Sequence, residues 1–148
     1  MSEDITKNKK AWLRRYLNNR SNVDRLKTKL SLLNQKLSSP RSPNMSGMPR
    51  GGKPITEADL IADKIELENR IQRLEDRGKE YRREIINVID DMNDYKYAGI
   101  LEAWFINGDS PETIAENEGY TVRHIFHLYA DAVERINIPG LNAADNTE

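Results

Sequence analysis

The chain of 148 residues contains no cysteine, which excludes disulfides and thiolate-bound metals. Its two histidines, His124 and His127, are too few for a zinc site of the usual ligand number. No apolar run approaches the roughly 20 residues that a membrane-spanning helix needs. The N-terminal MSEDITKNKKAW also lacks the apolar core of a signal peptide. These absences point to a cytoplasmic protein with no membrane contact. Aromatic residues make up only 7% of the chain, and 37% hydrophobic residues stand against 32% charged ones. That balance favours helical or elongated structure over a thick core, and the length leaves no room for a large catalytic domain. No internal repeat or catalytic signature emerges. Gly51-Gly52-Lys53 has neither the preceding strand nor the spacing of a phosphate-binding loop. The carboxylate pairs Asp90 with Asp91 and Glu116 with Glu118 fall at surface or helix-end positions without a convergent pocket. The chain reads as non-enzymatic, with no catalytic residues, no metal site and no cofactor.

What the sequence does have is a strong asymmetry of charge. The formal net charge is −1, yet residues 1–54 carry 13 Lys/Arg against 3 Asp/Glu, and residues 55–148 carry 10 against 21.

Two long helices explain much of this. From Trp12 the positions Tyr16, Asn19, Val23, Leu26, Leu30, Leu33 and Leu37 follow a heptad seam, which predicts a helix from about Ile5 to Leu37, roughly 50 Å long. Residues 38–54 then hold four of the six prolines and three of the eight glycines, and no helix crosses such a stretch. Thr56 can cap a second helix, in which Leu60, Leu67, Ile71, Leu74, Tyr81, Ile85, Val88 and Met92 keep the same spacing, with Lys64 and Gly78 as exceptions. Residues 1–92 are therefore expected to form a long antiparallel, coiled-coil-like helical hairpin with its Pro/Gly-rich loop at 38–54. In this register contacting residues have numbers that sum to about 98, so Trp12 lies near Ile86 and Asn19 faces Gly78 and Lys79. Flanking charges of a basic first helix and an acidic second one can pair across the seam. Arg14, Arg15, Arg20 and Lys27, with Arg41, Arg50 and Lys53 of the loop, are the cations available to a nucleic-acid backbone. Leu13 and Leu17, beside Ile86 and Ile89, are expected to dock the C-terminal part. Leu32, with Ile61 and Ile65, is expected to meet another copy or a partner.

A break at Asn93-Asp94 leads into a third helix, YKYAGILEAWFIN, with Ile100, Leu101, Trp104 and Phe105 on its apolar face and Gly108 at its end. Ser110 with Pro111, Gly119 and Thr121 then punctuate two further helices as N-cap, C-cap and N-cap. Ile114, Ala115, Tyr120, Ile125 and Leu128 supply the contacts between them, the pattern of a helix-turn-helix. Glu118 stands where such a motif usually buries a hydrophobe. Residues 93–139 are thus expected to be a three-helix helix-turn-helix domain, with 140–148 a flexible tail, and the fold class is all-α.

If Ile125, Leu128, Ala132 and Val133 face inward, then Val122, Arg123, Phe126 and His127 face out, and Thr121 and His124 at the helix start complete a set expected to contact DNA. Arg123 suits a bidentate contact to guanine, His127 a base or phosphate, and Val122 or Phe126 a thymine methyl. Residues 95–138 hold 3 Lys/Arg against 7 Asp/Glu, so phosphate attraction has to come from elsewhere: other copies, RNA polymerase, or the basic N-terminal part.

SGMPRGGK at 46–53, the following IADKIELENRI, and ILEAWFINGDSPETIAENEGYTVRHIFHLYADAVERINIP together resemble the small phage and prophage regulators of the ArpU and RinA type. Those proteins join a helical N-terminal part to a C-terminal helix-turn-helix similar to region 4 of sigma factors. The resemblance covers most of the chain and implies a DNA-binding activator of late phage genes, acting in the host cytoplasm on double-stranded DNA and with RNA polymerase. It places Val122, Arg123, Phe126 and His127 at groove-facing positions. The chain departs from the pattern at Trp104-Phe105, where an Arg-Tyr pair is usual, at Glu118, and in its less basic recognition helix. Two other readings fit the same features. One is a packaging protein like a small terminase subunit, and the other is an adaptor that binds polymerase instead of DNA.

Overall fold

The computed structural model describes residues 2–39 and 55–141, and all the secondary structure among them is helical. Six α-helices follow in order: α1 (Ser2–Leu13), α2 (Arg15–Ser38), α3 (Glu57–Asp90), α4 (Tyr95–Glu102), α5 (Pro111–Glu118) and α6 (Val122–Arg135). A π-helical turn, Ala103–Asn107, continues α4. The chain divides into two compact units, Ser21–Asp76 forming one, and residues up to Arg20 together with those from Arg77 onward forming the other.

The first helix does not run unbroken, as the heptad spacing predicts. It breaks at Arg14, and the side chain of Arg15 explains why: its Nε donates to the Trp12 carbonyl at 3.0 Å. A side chain that takes up a backbone carbonyl competes with the helical ladder at that point. The guanidinium is held there by the rings of Trp12 and Tyr81, 4.3 and 4.6 Å from its carbon, and by Glu84 at 2.8 Å.

Within the same unit Asn19 lies directly against Gly78, the contact that the register count expects. A β-carbon at position 78 would overlap the Asn19 carboxamide oxygen, so the buried glycine makes room for a polar side chain in an apolar seam. The helices that follow are set by their caps. Asp94 accepts from the backbone N–H groups of Lys96 and Tyr97 at the start of α4, after a left-handed Asn93. Ser110 accepts from Thr113 N–H, with Pro111 at the first position of α5, and Thr121 accepts from His124 N–H at the start of α6. A continuous apolar cluster joins these helices to α1 and α3, including Leu13, Ile85, Ile89, Leu101, Phe105, Ile114, Ile125, Ala132 and Ile138. Leu13 is therefore buried with the C-terminal helices, as its position outside the heptad seam leads one to expect.

The unit Ser21–Asp76 is thinner. Val23, Leu26 and Ile71 are buried, with Leu30, Leu67 and Leu74 partly covered, and Lys27 pairs with Glu75 at 2.8 Å. Leu32, Ile61 and Ile65 remain exposed at 55%, 44% and 52%.

Candidate nucleic-acid interface

The outer face of α6 is presented by the turn that precedes it. Gly119, at φ 75°, ends α5 in the left-handed conformation, and the N–H groups of Gly119 and Tyr120 both donate to the Ala115 carbonyl, at 2.9 and 3.0 Å. Two residues later Thr121 starts α6. The inner face of α6 is fully committed: Ile125, Leu128, Tyr129, Ala132 and Val133 are buried. Arg123, His124, Phe126 and His127 are exposed, as is Thr121. Val122 departs from the expected outward placement. It is half-buried against the core cluster.

Two members of the exposed set have intramolecular contacts. His124 meets Tyr120 edge-on, ring centroids 4.7 Å apart. Phe126, 49% exposed, meets Trp104 edge-on at 5.7 Å. Arg123 and His127 make no hydrogen bond or ion pair with the other described residues. Glu118 is exposed, so no carboxylate is buried at the turn.

Trp104 owes its position to the π-helical turn. The wider turn closes with the N–H groups of Gly108 and Asp109 both reaching the Ala103 carbonyl. Phe105 and Ile106 are buried, while Trp104 lies at the rim, stacked on Tyr129 at 3.8 Å. The Tyr129 hydroxyl is buried with no hydrogen-bond partner of acceptable geometry. Burial pushes this phenol up from its ordinary value, and the neighbouring Arg14 guanidinium offsets part of that rise. Lys10 Nζ stands 5.4 Å from the same ring.

The remaining basic residues sort by use. Lys9 is 6% exposed, and its ammonium donates to the Glu134 carbonyl at 2.9 Å, closing the last turn of α6 where the helix dipole favours a cation. Desolvation lowers its pKa, opposed by the charge of Glu134. Arg15 is occupied as described, and Lys27 is held protonated more firmly by its hydrogen bond to Glu75. Arg20 lies 5.8 Å over Tyr16 and beside Gly108. Arg41, Arg50 and Lys53 lie outside the described residues.

Away from α6's outer face, an open groove of about 800 Å³ is lined by Trp12, Glu84, Asp91, Asp94, Tyr97 and Arg135, among others, and contains none of the expected site residues. Among the described residues no group of three or more His, Asp or Glu side chains is placed to hold a metal ion. No helix of the described residues is long and apolar enough to cross a membrane. Compared with protein-family models, curated proteins and solved structures, the chain matches none of them.

Proposed function

We propose that the chain is a non-enzymatic regulator of transcription that reads double-stranded DNA with a helix-turn-helix made of α5 and α6, and that it activates genes of the phage late or packaging kind its sequence resembles. The observation that carries this reading is the division of α6 into a wholly buried face and an exposed N-terminal half bearing Arg123 and His127 without intramolecular partners. A recognition helix needs that arrangement, since its first turns reach the base edges of the major groove. The left-handed turn at Gly119 and the caps at Ser110 and Thr121 support it. RNA polymerase and further copies of the chain are the partners this reading requires.

Selection of bound duplexes from a random pool, followed by binding measurements on the enriched sequence, tests the proposal. Arg123→Ala together with His127→Ala should reduce the preference for the selected over a scrambled duplex by about tenfold or more, since one bidentate base contact is worth about 1–3 kcal/mol. An unchanged preference removes the assignment. The exposed Leu32, Ile61 and Ile65 favour assembly of copies and keep a ring-forming packaging subunit as the second reading. Activation of transcription in vitro from a promoter carrying the selected site supports the first, whereas rings that stimulate a packaging ATPase support the second.

A further inference from the structure

We infer that Lys7, Lys10 and Arg14 form the phosphate-binding arm of this interface, so that a duplex read by α6 passes over the α1 side of the unit and not over the α5 side. The inference rests on the DNA-binding reading above and supplies what that reading lacks, a source of positive charge beside an acidic motif.

Helix α1 is fixed along α6. Leu13 is buried in the shared core, Lys9 caps the last turn of α6 through the Glu134 carbonyl, and Lys10 stands over Tyr129. Lys7 and Lys10, spaced i, i+3, share one stripe of α1, and Arg14, at the break that follows, continues it because its N–H still donates to the Lys10 carbonyl at 3.0 Å. Lys7 and Arg14 are exposed and Lys10 is half-buried. Their neighbours Lys9 and Arg15 point elsewhere and are consumed by the fold. Two exposed acids, Glu3 and Asp4, lie at the start of the stripe in the first turn of α1, Glu3 near Lys7 and Lys10.

The stripe borders the exposed face of α6 through a run of rings. Arg14 and Lys10 adjoin Tyr129, Tyr129 stacks on Trp104, and Trp104 meets Phe126, which lies between Arg123 and His127 in sequence and half-exposed at the edge of the groove-reading face. Cations flanking an aromatic surface suit a polyanion whose backbone must lie close to the protein. The opposite flank has the opposite character, with Glu112, Glu116 and Glu118 all exposed on α5. Along α6 itself Asp131 and Glu134 are exposed in the C-terminal half. The stripe thus supplies positive charge on the α1 side, where it reaches Tyr129 midway along α6.

The test uses the full chain, the duplex selected by the intact protein, and a scrambled duplex of the same composition. The triple variant Lys7→Gln, Lys10→Gln, Arg14→Gln should weaken binding to both duplexes alike and flatten the dependence of log affinity on log salt by about 2 to 3, since each neutralised phosphate contributes about 0.9. Its ratio of selected to scrambled affinity should stay as in the parent. The charge-keeping variant Lys7→Arg, Lys10→Arg, Arg14→Lys should restore the slope. Because Lys10 and Arg14 touch Tyr129, Lys7→Gln alone provides a control free of packing changes and should flatten the slope by about 1. If slope and affinity are unchanged in both the triple and single variants while Arg123→Ala with His127→Ala still abolishes discrimination, the arm is wrong and the reading helix stands. If the parent protein binds neither duplex, both fall together.

Discussion

In residues 21–76 the buried side chains are Val23, Leu26 and Ile71, with Leu30, Leu67 and Leu74 partly covered, whereas the other unit buries a cluster reaching from Leu13 through Phe105 and Ile125 to Ile138. Fully burying an aliphatic side chain contributes about 1.5–3 kcal/mol, while ordering each backbone residue costs about 1–2 kcal/mol. Two helices meeting along one stripe bring few side chains to bear against that cost. The unit with α4, α5 and α6 adds helices, so side chains from several of them share one buried cluster. Both α2 and α3 extend from it into the thinner unit, and a helix already nucleated lengthens at far lower cost than a new one forms. The stability of residues 21–76 is thus expected to depend on helices started elsewhere in the chain.

Core truncation tests this difference most strongly. Phe105→Ala should cost about 3–5 kcal/mol in urea unfolding and remove protection from exchange throughout α4 to α6. Leu26→Ala should cost about 2–5 kcal/mol locally, with exchange accelerated in residues 21–38 and 57–76 and amides of α6 still protected. Equal loss of protection in both units after Leu26→Ala would show that the two are one cooperative block.

A smaller effect is expected at Gly78. Alanine in a helix interior ordinarily gains about 1 kcal/mol over glycine. Here its β-carbon meets Asn19, and displacing that carboxamide should reverse the sign to a loss of about 1 kcal/mol. In an Asn19→Ala background the same Gly78→Ala change should become stabilising. A double-mutant cycle that shows no coupling would mean the contact does not constrain the seam.

The smallest change is Tyr129→Phe, expected to be neutral or stabilising by up to about 1 kcal/mol at pH 7, because the lost hydroxyl is buried beside the Arg14 guanidinium without a well-formed hydrogen bond. Burial raises the pKa of the phenol in the folded chain above its ordinary 10.0, so the native state holds this proton more tightly than the unfolded one. The linked stability is fully present below that ordinary value and is lost as pH rises through the elevated one. Thermal melts of parent and variant should therefore diverge above pH 10, the parent falling faster.

Where local chemistry sets an element, the sequence was a good guide. Ser110, Gly119 and Thr121 cap and close α5 and α6 by contacts within a few residues, and each has the expected role. Asp94 and the break before it are equally local. The break at Arg14 was hidden because its cause is tertiary: Tyr81 and Glu84 hold the Arg15 guanidinium, while the apolar spacing of Trp12 and Tyr16 continues as if the helix were whole. The π-helical turn was hidden for a similar reason, since YKYAGILEAWFIN carries an α-helical pattern and only tertiary packing buries Phe105 while leaving Trp104 at the rim, both rings meeting Tyr129. At the candidate interface Arg123 and His127 lie where periodicity puts them, but Val122 turns partly inward. The i, i+3, i+7 spacing of Lys7, Lys10 and Arg14 was visible in the sequence, yet nothing local shows that this stripe borders α6.

The hydrogen bond from Lys9 to the Glu134 carbonyl joins residues 125 apart in sequence. It sets an order of events during synthesis. Contacts separated by so much chain carry a large loop-closure cost and are made late. On the ribosome the helical segments of residues 21–76 emerge complete well before α6 exists, whereas α1 has to wait through most of translation for the helix it caps. Until then Leu13 has Ile85 and Ile89 of α3 to pack on, but the basic stripe lacks the α6 surface it borders.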